Sequence, residues 1–269
     1  MTLFTLDSVP EVPLARAPLA KVLTQVKFSR TPALVSDEGE ERLAERLVDF
    51  PVRRQGMSVT ITVTPPGSPE QRTIPTRVFA DPTETWVVTV TEQALSLETT
   101  EYVSRDDFCR RARLVFDAVA DTALPPIVDR VGLRYVDRLS DATDLESLDT
   151  YVNPRLRVLL GAVDPAIEVE HSVSESVIRL STDERLHVRG GILPPDALLD
   201  PLLMPLSVRS WVLDLDIYTV SGGFPFDPVA LHDRLSRYGD HVHSFFRWAM
   251  TPEFIDAFST KAADVGGRP

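Results

Sequence analysis

Two pairs of acidic residues are spaced so that both side chains of a pair could act on one substrate or one cation. Asp214 and Asp216 lie in one predicted strand, and Glu168 and Glu170 lie in another. Residues i and i+2 of a strand project from the same face, so each pair could bind a hard cation or supply an acid and a base. We favour the simpler alternative, a solvated sheet face on which arginines neutralise these carboxylates.

Arg134 and Arg138 share one face of a further predicted strand. Their guanidinium groups could form a small anion site if that face is concave, but cross-strand ion pairs are the simpler expectation. Arg134, Arg138, Asp214 and Asp216 are therefore weak candidates for ligand binding. We expect that Asp214 and Asp216 are not a catalytic pair.

The histidines and the motifs of known cofactor sites give no sign of a metal or a cofactor. His241 and His243 would lie about 200° apart on a helix, and His232 and His243 would lie about 16 Å apart along its axis. Nucleotide-binding glycine fingerprints, His-Glu-x-x-His and Cys-x-x-Cys are missing from the sequence. We therefore expect no catalytic residues of a known pattern, no metal and no cofactor. The single cysteine, Cys109, lies beside an apolar helical stripe and is expected to be a packing residue.

Length and charge limit the kinds of partner that the chain can have. Its 269 residues carry a net charge of -12 and a hydrophobic fraction of 43%, as in ordinary globular proteins. The acidic balance argues against a nucleic acid partner, because phosphate-binding surfaces need clustered lysine and arginine. No stretch has the length of a membrane span, and residues 1–7 lack the pattern of a signal peptide. We expect a cytoplasmic protein without a membrane partner.

Alternating and amphipathic segments predict an α+β fold in which mainly antiparallel sheets pack on three amphipathic helices. The helices are expected to begin near Asp37, Ser104 and Asp227. The predicted strands cover residues 22–28, 58–64, 85–91, 94–98, 128–139, 167–172, 176–180, 185–190 and 211–220. A mixed helical region at 143–163 follows an N-terminal half, 1–142, and begins a C-terminal half, 143–269. The similar order of elements favours a relation between the halves, although no residue-level repeat is found.

The helix that begins near Asp227 carries two apolar or small-residue stripes, whereas a surface helix needs only one. The first would pack on the core. The other, rotated by about 100° and called the second stripe below, comprises His232, Ser236, Gly239, His243 and Phe246. We expect the second stripe to contact another polypeptide, either a second copy or a different protein. The alternative is that both stripes are internal and lie between the two half-sheets.

The connection at 193–206, called the Leu/Pro segment below, is unusually apolar for a loop. It includes Leu198, Leu199, Leu202 and Leu203 beside several prolines. One interpretation is a short helical lid over the end of the core, and the other is a surface for a protein partner or a ligand. We include these four leucines in the predicted partner-binding surface.

Distinctive motifs are spread over most of the chain, at residues 17–22, 131–139, 213–218, 231–232 and 241–245 and at Thr251. Together they resemble a sporadically distributed family of uncharacterised bacterial proteins of similar length. The resemblance implies a bacterial protein whose motifs are structural and have no assigned activity. The sporadic distribution of that family implies a link to mobile or defence-associated genes. Asp137 departs from the pattern, because Asn is common at that position.

Three classes of function are compatible with these features. We favour a protein-binding or regulatory module, because the unusual features are apolar surfaces and not catalytic constellations. An enzyme that uses the carboxylate and arginine faces is the first alternative. The second alternative is a carrier of a small ligand, with its pocket under the Leu/Pro segment.

Overall fold

The structure, a computed structural model, describes residues 4–7, 9–62, 70–157, 163–164, 167, 169–197, 199–200 and 203–259, with the backbone alone for 58–62 and 70–72. The strands are β1 Leu19–Phe28, β2 Val52–Thr62, β3 Glu70–Ala80, β4 Trp86–Thr91, β5 Ala94–Thr99, β6 Val128–Leu139, β7 Ser172–Arg179, β8 Glu184–Leu193 and β9 Ser210–Thr219. They form one nine-stranded sheet in the order β2-β3-β4-β5-β1-β6-β9-β8-β7. Every neighbouring pair of strands is antiparallel.

Helices cover one face of this sheet. They are α1 Asp37–Arg46, α2 Arg105–Ala123, α3 Ala142–Glu146, α4 Leu148–Tyr151, α5 Pro228–Ala249 and α6 Pro252–Ser259. α2 and α5 pack on each other, and α1 packs on α2. Fully buried helical residues such as Phe116 and Leu235 form one core cluster with Val26 and Leu215 of the sheet. The face with Val26 and Leu215 is called the helical face below.

Side-chain caps fix the starts of the three longer helices of the core. Ser36, Ser104 and Asp227 each accept a hydrogen bond from a backbone N–H in the first turn of the helix that follows. Such a cap stabilises a helix by about 1 kcal/mol. The capping residue of α1 is Ser36, so the pattern at Asp37 marks the first helical residue and not the cap.

The predicted α+β class with mainly antiparallel strands is confirmed. Two of the predicted strands are placed differently. Residues 58–62 of the strand predicted at 58–64 belong to the longer β2, and 63–64 lie outside the described residues. The partner strand β3 is not predicted, because Pro75 interrupts the pattern of that segment. The strand predicted at 167–172 enters the sheet only at Ser172, where β7 begins.

The boundary between residues 142 and 143 does not separate two sheets. β6 lies before this boundary and β9 after it, and the two strands pair along Gly132–Leu139. Both segments therefore contribute to a single sheet. A relation between the two halves stays a prediction.

The other face of the sheet, called the open face below, carries mostly polar side chains and a small apolar cluster. Val136 and Val212 of the sheet form this cluster with Leu193 and Leu203. The described residues of the Leu/Pro segment contain no helix, so they cover this end of the sheet as irregular chain. Among the helices that the structure describes, none is long and apolar enough to cross a membrane.

Candidate functional site

A pocket of about 380 Å³ lies on the helical face and is called the β6 pocket below. Four parts of the chain form its walls. They are the N-terminal segment with Glu11, Val12, Pro13, Leu14 and Ala17, the α2 start with Tyr102, Val103, Ser104 and Arg105, the strands with Leu19, Tyr135 and Asp137, and α5 with Gly239, Val242, His243 and Phe246. Pockets of this size, with apolar walls and a few polar groups, are typical of small-molecule sites.

Strand alternation places Tyr135 and Asp137 in this pocket. Residues i and i+2 of a strand project from one face, and Tyr135 and Asp137 therefore share the helical face with Leu133. The missing side chain of Gly239 allows α2 to approach α5 at the pocket. A Cβ atom at Gly239 would lie only 2.7 Å from Cδ of Arg105.

Asp137 is the most unusual residue of the pocket. It is only 4% exposed, and no hydrogen-bond or ion-pair partner for its carboxyl group is found in the described part of the chain. Burial raises the pKa of Asp137 to about 8, and the charge of Asp214 on the open face adds to the effect. The carboxyl group is therefore mostly protonated at neutral pH.

Two tyrosines, Tyr102 and Tyr135, line the same pocket. The Tyr135 hydroxyl donates to the Tyr102 oxygen at 3.2 Å, and the rings meet edge to face with centroids 5.5 Å apart. Burial raises the pKa of both tyrosines, so both stay protonated at neutral pH. Because Tyr102 accepts this bond, its own proton can be donated to a bound molecule.

The charged groups at the pocket are largely compensated. Arg105 forms an ion pair with Asp240 across the α2–α5 contact. His243 donates from Nε2 to the carbonyl oxygen of Pro10 at 3.1 Å, and burial lowers the pKa of this imidazole. His243 is therefore neutral at neutral pH. The Glu11 carboxylate lies in the wall on the side of the N-terminal segment.

The N-terminal segment is held in place by α5 and α6. The Ser244 hydroxyl donates to the carbonyl oxygen of Asp7 at 2.7 Å, and Phe4 packs edge to face on Phe245 with centroids 5.0 Å apart. Further along, the backbone N–H of Arg16 donates to the carbonyl oxygen of Phe258 at 3.1 Å. The wall of the β6 pocket therefore depends on contacts between the two ends of the described chain.

A further pocket of about 460 Å³ lies beside the Leu/Pro segment. Arg138 lines it, donating from Nε to the Ser210 hydroxyl at 3.0 Å and from Nη1 to the Met204 carbonyl oxygen at 2.6 Å. Its Nη2 is buried without a partner among the described residues. Arg138 thus holds the Leu/Pro segment against the sheet.

The structure pairs the acidic candidates with arginines. Asp214 is 2% exposed and accepts two hydrogen bonds of 2.8 Å from Arg134, and Arg189 donates to it from Nε at 2.9 Å. Asp216 lies 3.4 Å from Arg130. A carboxylate with two guanidinium partners is charge-compensated, so this geometry favours an ion-pair network over an open cation site. Ligand binding by Arg134, Arg138, Asp214 and Asp216 stays a prediction.

The other acidic pair lies at the limit of the described chain. Glu170 lies outside any strand, and Glu168 lies outside the described residues. In the described ranges no group of three His, Cys, Asp or Glu side chains could hold a metal ion.

Three members of the second stripe of α5 face other parts of the same chain. Gly239, His243 and Phe246 line the β6 pocket, and Gly239 is buried while the other four members are half-buried. In the Leu/Pro segment, Leu199 and Leu203 pack on the small apolar cluster of the open face. Leu198 and Leu202 lie outside the described residues. Contact of these residues with another polypeptide stays a prediction.

Sequence reasoning did not select Asp137, Tyr102 or Tyr135 as site residues. A signal for Asp137 was nevertheless present, because the alternation of 128–139 puts this acidic residue on the same face as Val131 and Leu133. A carboxyl group in an apolar row is expensive to bury and is therefore a functional candidate. No comparable signal marked Tyr102, which lies before α2 in irregular chain.

Comparison with protein-family models, with curated proteins and with solved structures found no match. The resemblance to a sporadically distributed bacterial family therefore stays a prediction, and the function has to be argued from the geometry of the site.

Proposed function

We propose that this protein binds a small molecule in the β6 pocket. The observation that carries the proposal is the carboxyl group of Asp137, which is 4% exposed and has no partner among the described residues. Burying such a group without a hydrogen bond costs about 1–3 kcal/mol. A bound molecule that supplies the missing partner would offset this cost.

The chemical character of the walls supports this function. Val12, Leu14, Val242 and Phe246 provide apolar surface, whereas the polar groups converge from β6 and from the start of α2. An apolar body with one polar head matches this division, because the few polar groups of a pocket fix the orientation of its ligand. The small-ligand alternative thus gains support, but in a pocket on the helical face and not under the Leu/Pro segment.

The order of elements supports the further proposal that the chain consists of two related halves. β1, α1, β2 to β5 and α2 are followed by β6, the short helices α3 and α4, β7 to β9 and α5. β1 and β6 are neighbours at the centre of the sheet, and α2 and α5 pack on each other. The β6 pocket would then lie at the contact between the halves, a common location for ligand sites.

A protein-binding role is a second proposal, and we assign it to the Leu/Pro segment. Met204 in this segment is 78% exposed, and Val208 just after it is 48% exposed. Exposed apolar side chains that adjoin a packed apolar cluster are a common feature of protein contacts. The same segment would carry a regulatory contact if the chain acts in a bacterial defence system.

The small-molecule proposal can be tested by filling the pocket with a side chain. Val12→Trp adds bulk to an irregular wall segment, so it should block the β6 pocket with little effect on the fold. Val229→Trp is the matched control, because Val229 is 50% exposed at the start of α5 and does not line the pocket. The assay is ligand-detected NMR with a library of aromatic amines, alcohols and acids.

We expect the library to contain compounds that bind the wild type and Val229→Trp equally and that bind Val12→Trp at least tenfold more weakly. Binding that is the same for all three proteins would place the ligands elsewhere. A library without any binder of the wild type would also contradict the proposal.

A further inference from the structure

We infer that the β6 pocket selects a ligand with a protonated amine, which binds directly to Asp137 and thereby favours the ionised form of its carboxyl group. This inference rests on the proposed function and adds the chemical class of the ligand. It follows from the charges, the hydrogen-bond acceptors and the aromatic rings that line the pocket.

The charges at the pocket favour a cation over an anion. Arg105 is the one cation among the described lining residues, and Asp240 neutralises it through an ion pair. His243 does not add a positive charge, because its Nε2 proton is bound to the Pro10 carbonyl oxygen and burial favours the neutral ring. Glu11 adds a negative charge to the wall. An anionic ligand would therefore find no free cation among the described lining residues to bind it.

The hydrogen-bonding groups also match an amine. A primary ammonium group has three donors and no acceptor. Once Asp137 is ionised, its two oxygens are acceptors without a partner in the described chain, and the hydroxyl oxygens of Tyr102 and Tyr135 have further lone pairs. A charge-assisted hydrogen bond to Asp137 in this buried position is stronger than a bond between neutral groups.

The aromatic rings of the pocket add a second favourable interaction. Phe246 of α5 and Tyr102 before α2 both line the cavity that Asp137 enters from β6. A cation near the face of an aromatic ring is stabilised by the ring quadrupole, and the effect is larger where water is excluded. An ammonium group bound to Asp137 would thus share the pocket with hydroxyl oxygens and aromatic rings.

Three probes with the same phenylethyl body test this inference. They are 2-phenylethylamine, 2-phenylethanol and 3-phenylpropanoate, which carry a cationic, a neutral and an anionic head. Their dissociation constants for the wild type would be measured by NMR titration at pH 7.5. We expect the amine to bind about tenfold to a hundredfold more tightly than the alcohol, the range for a hydrogen bond to a charged group. The anion should bind most weakly.

Asp137→Asn should lower the affinity for the amine to that for the alcohol, because an amide is nearly the same size but has no charge. Asp129→Asn is the matched control, since it removes a carboxylate from an exposed position of the same strand. It should leave the amine affinity within about twofold of the wild type, as is usual for an exposed charge. The affinity order of the three probes on the wild type tests the inference even if Asp137→Asn fails to fold.

The outcomes separate this inference from the proposed function. Equal affinities for amine and alcohol, or tightest binding of the anion, would overturn the amine inference and leave small-molecule binding intact. An amine preference that survives in Asp137→Asn would also overturn it. Failure of all three probes to bind the wild type, together with a library that contains no binder, would overturn the proposed function itself.

Discussion

The buried carboxyl group of Asp137 should make the stability of the ligand-free protein fall as the pH rises. Its pKa is about 8 in the folded protein, compared with 3.8 as the ordinary value for Asp. Between these two values the folded state binds a proton that the unfolded state has lost, so the free energy of unfolding decreases with rising pH. The free energy of unfolding falls by about 1.4 kcal/mol for each pH unit in this range, and by roughly 4 kcal/mol from pH 5 to pH 8.

Asp137→Asn isolates this contribution, because the amide cannot ionise. Urea unfolding of the wild type and the variant at pH 5, 6.5 and 8 gives the difference in free energy of unfolding at each pH. We expect this difference to shift in favour of the variant by several kcal/mol from pH 5 to pH 8. Burial lowers the pKa values of His241 and His243, so these residues reduce the free energy of unfolding as the pH falls through their pKa in the unfolded state. Their effect is common to both proteins and cancels in the difference.

A difference that is the same at all three pH values would refute this reasoning. It would mean that the carboxyl group of Asp137 has solvent or a partner that keeps its pKa near the ordinary value. The amine inference would then lose the buried, unpartnered group on which it depends.

Two further predictions concern residues that do not line the β6 pocket. Cys109 is 5% exposed, and burial raises the pKa of its thiol to about 11. Its reaction with a disulfide reagent at pH 8 should therefore be at least a hundredfold slower in the folded protein than in the urea-unfolded protein. Similar rates in the two states would show that the thiol is accessible. Asp214→Asn should lower the free energy of unfolding by about 1–3 kcal/mol, because Arg134 and Arg189 lose their buried carboxylate and keep only the more exposed Asp200. Asp216 forms a more exposed pair with Arg130, so Asp216→Asn should lower the free energy of unfolding much less in the same urea titration. Equal decreases for the two variants would contradict the ion-pair explanation.

The strands and helices with strong local signals could be predicted from the sequence. The alternation of 128–139 predicted β6 over its full length, and the Asp227-Pro228 pair marked the start of α5. β3 could not be predicted in this way, because it contains Pro75 and is held as a strand by its pairing with β2 and β4. Its order depends on a partner strand and not on local preference.

The candidate site was much harder to predict than the fold. Its walls come from chain segments that are distant in sequence, as the contact between His243 and the carbonyl oxygen of Pro10 shows. Periodicity reports which face of an element is apolar, but it does not report which distant segment covers that face. The second stripe of α5 was therefore visible in the sequence, whereas its position beside a pocket of the same chain was not.

The central position of β1 affects how this protein is made in the cell. β1 leaves the ribosome before both of its partner strands, because Val22 pairs with Thr99 on one side and with Tyr135 on the other. At synthesis rates of about 5–20 residues per second, Val22 waits roughly 6 to 23 s for Tyr135 to be made. Until then the edge of β1 that pairs with β6 is open to strands of other nascent chains. Premature termination before β6 would therefore release fragments that aggregate, and translation speed should affect the yield of folded protein.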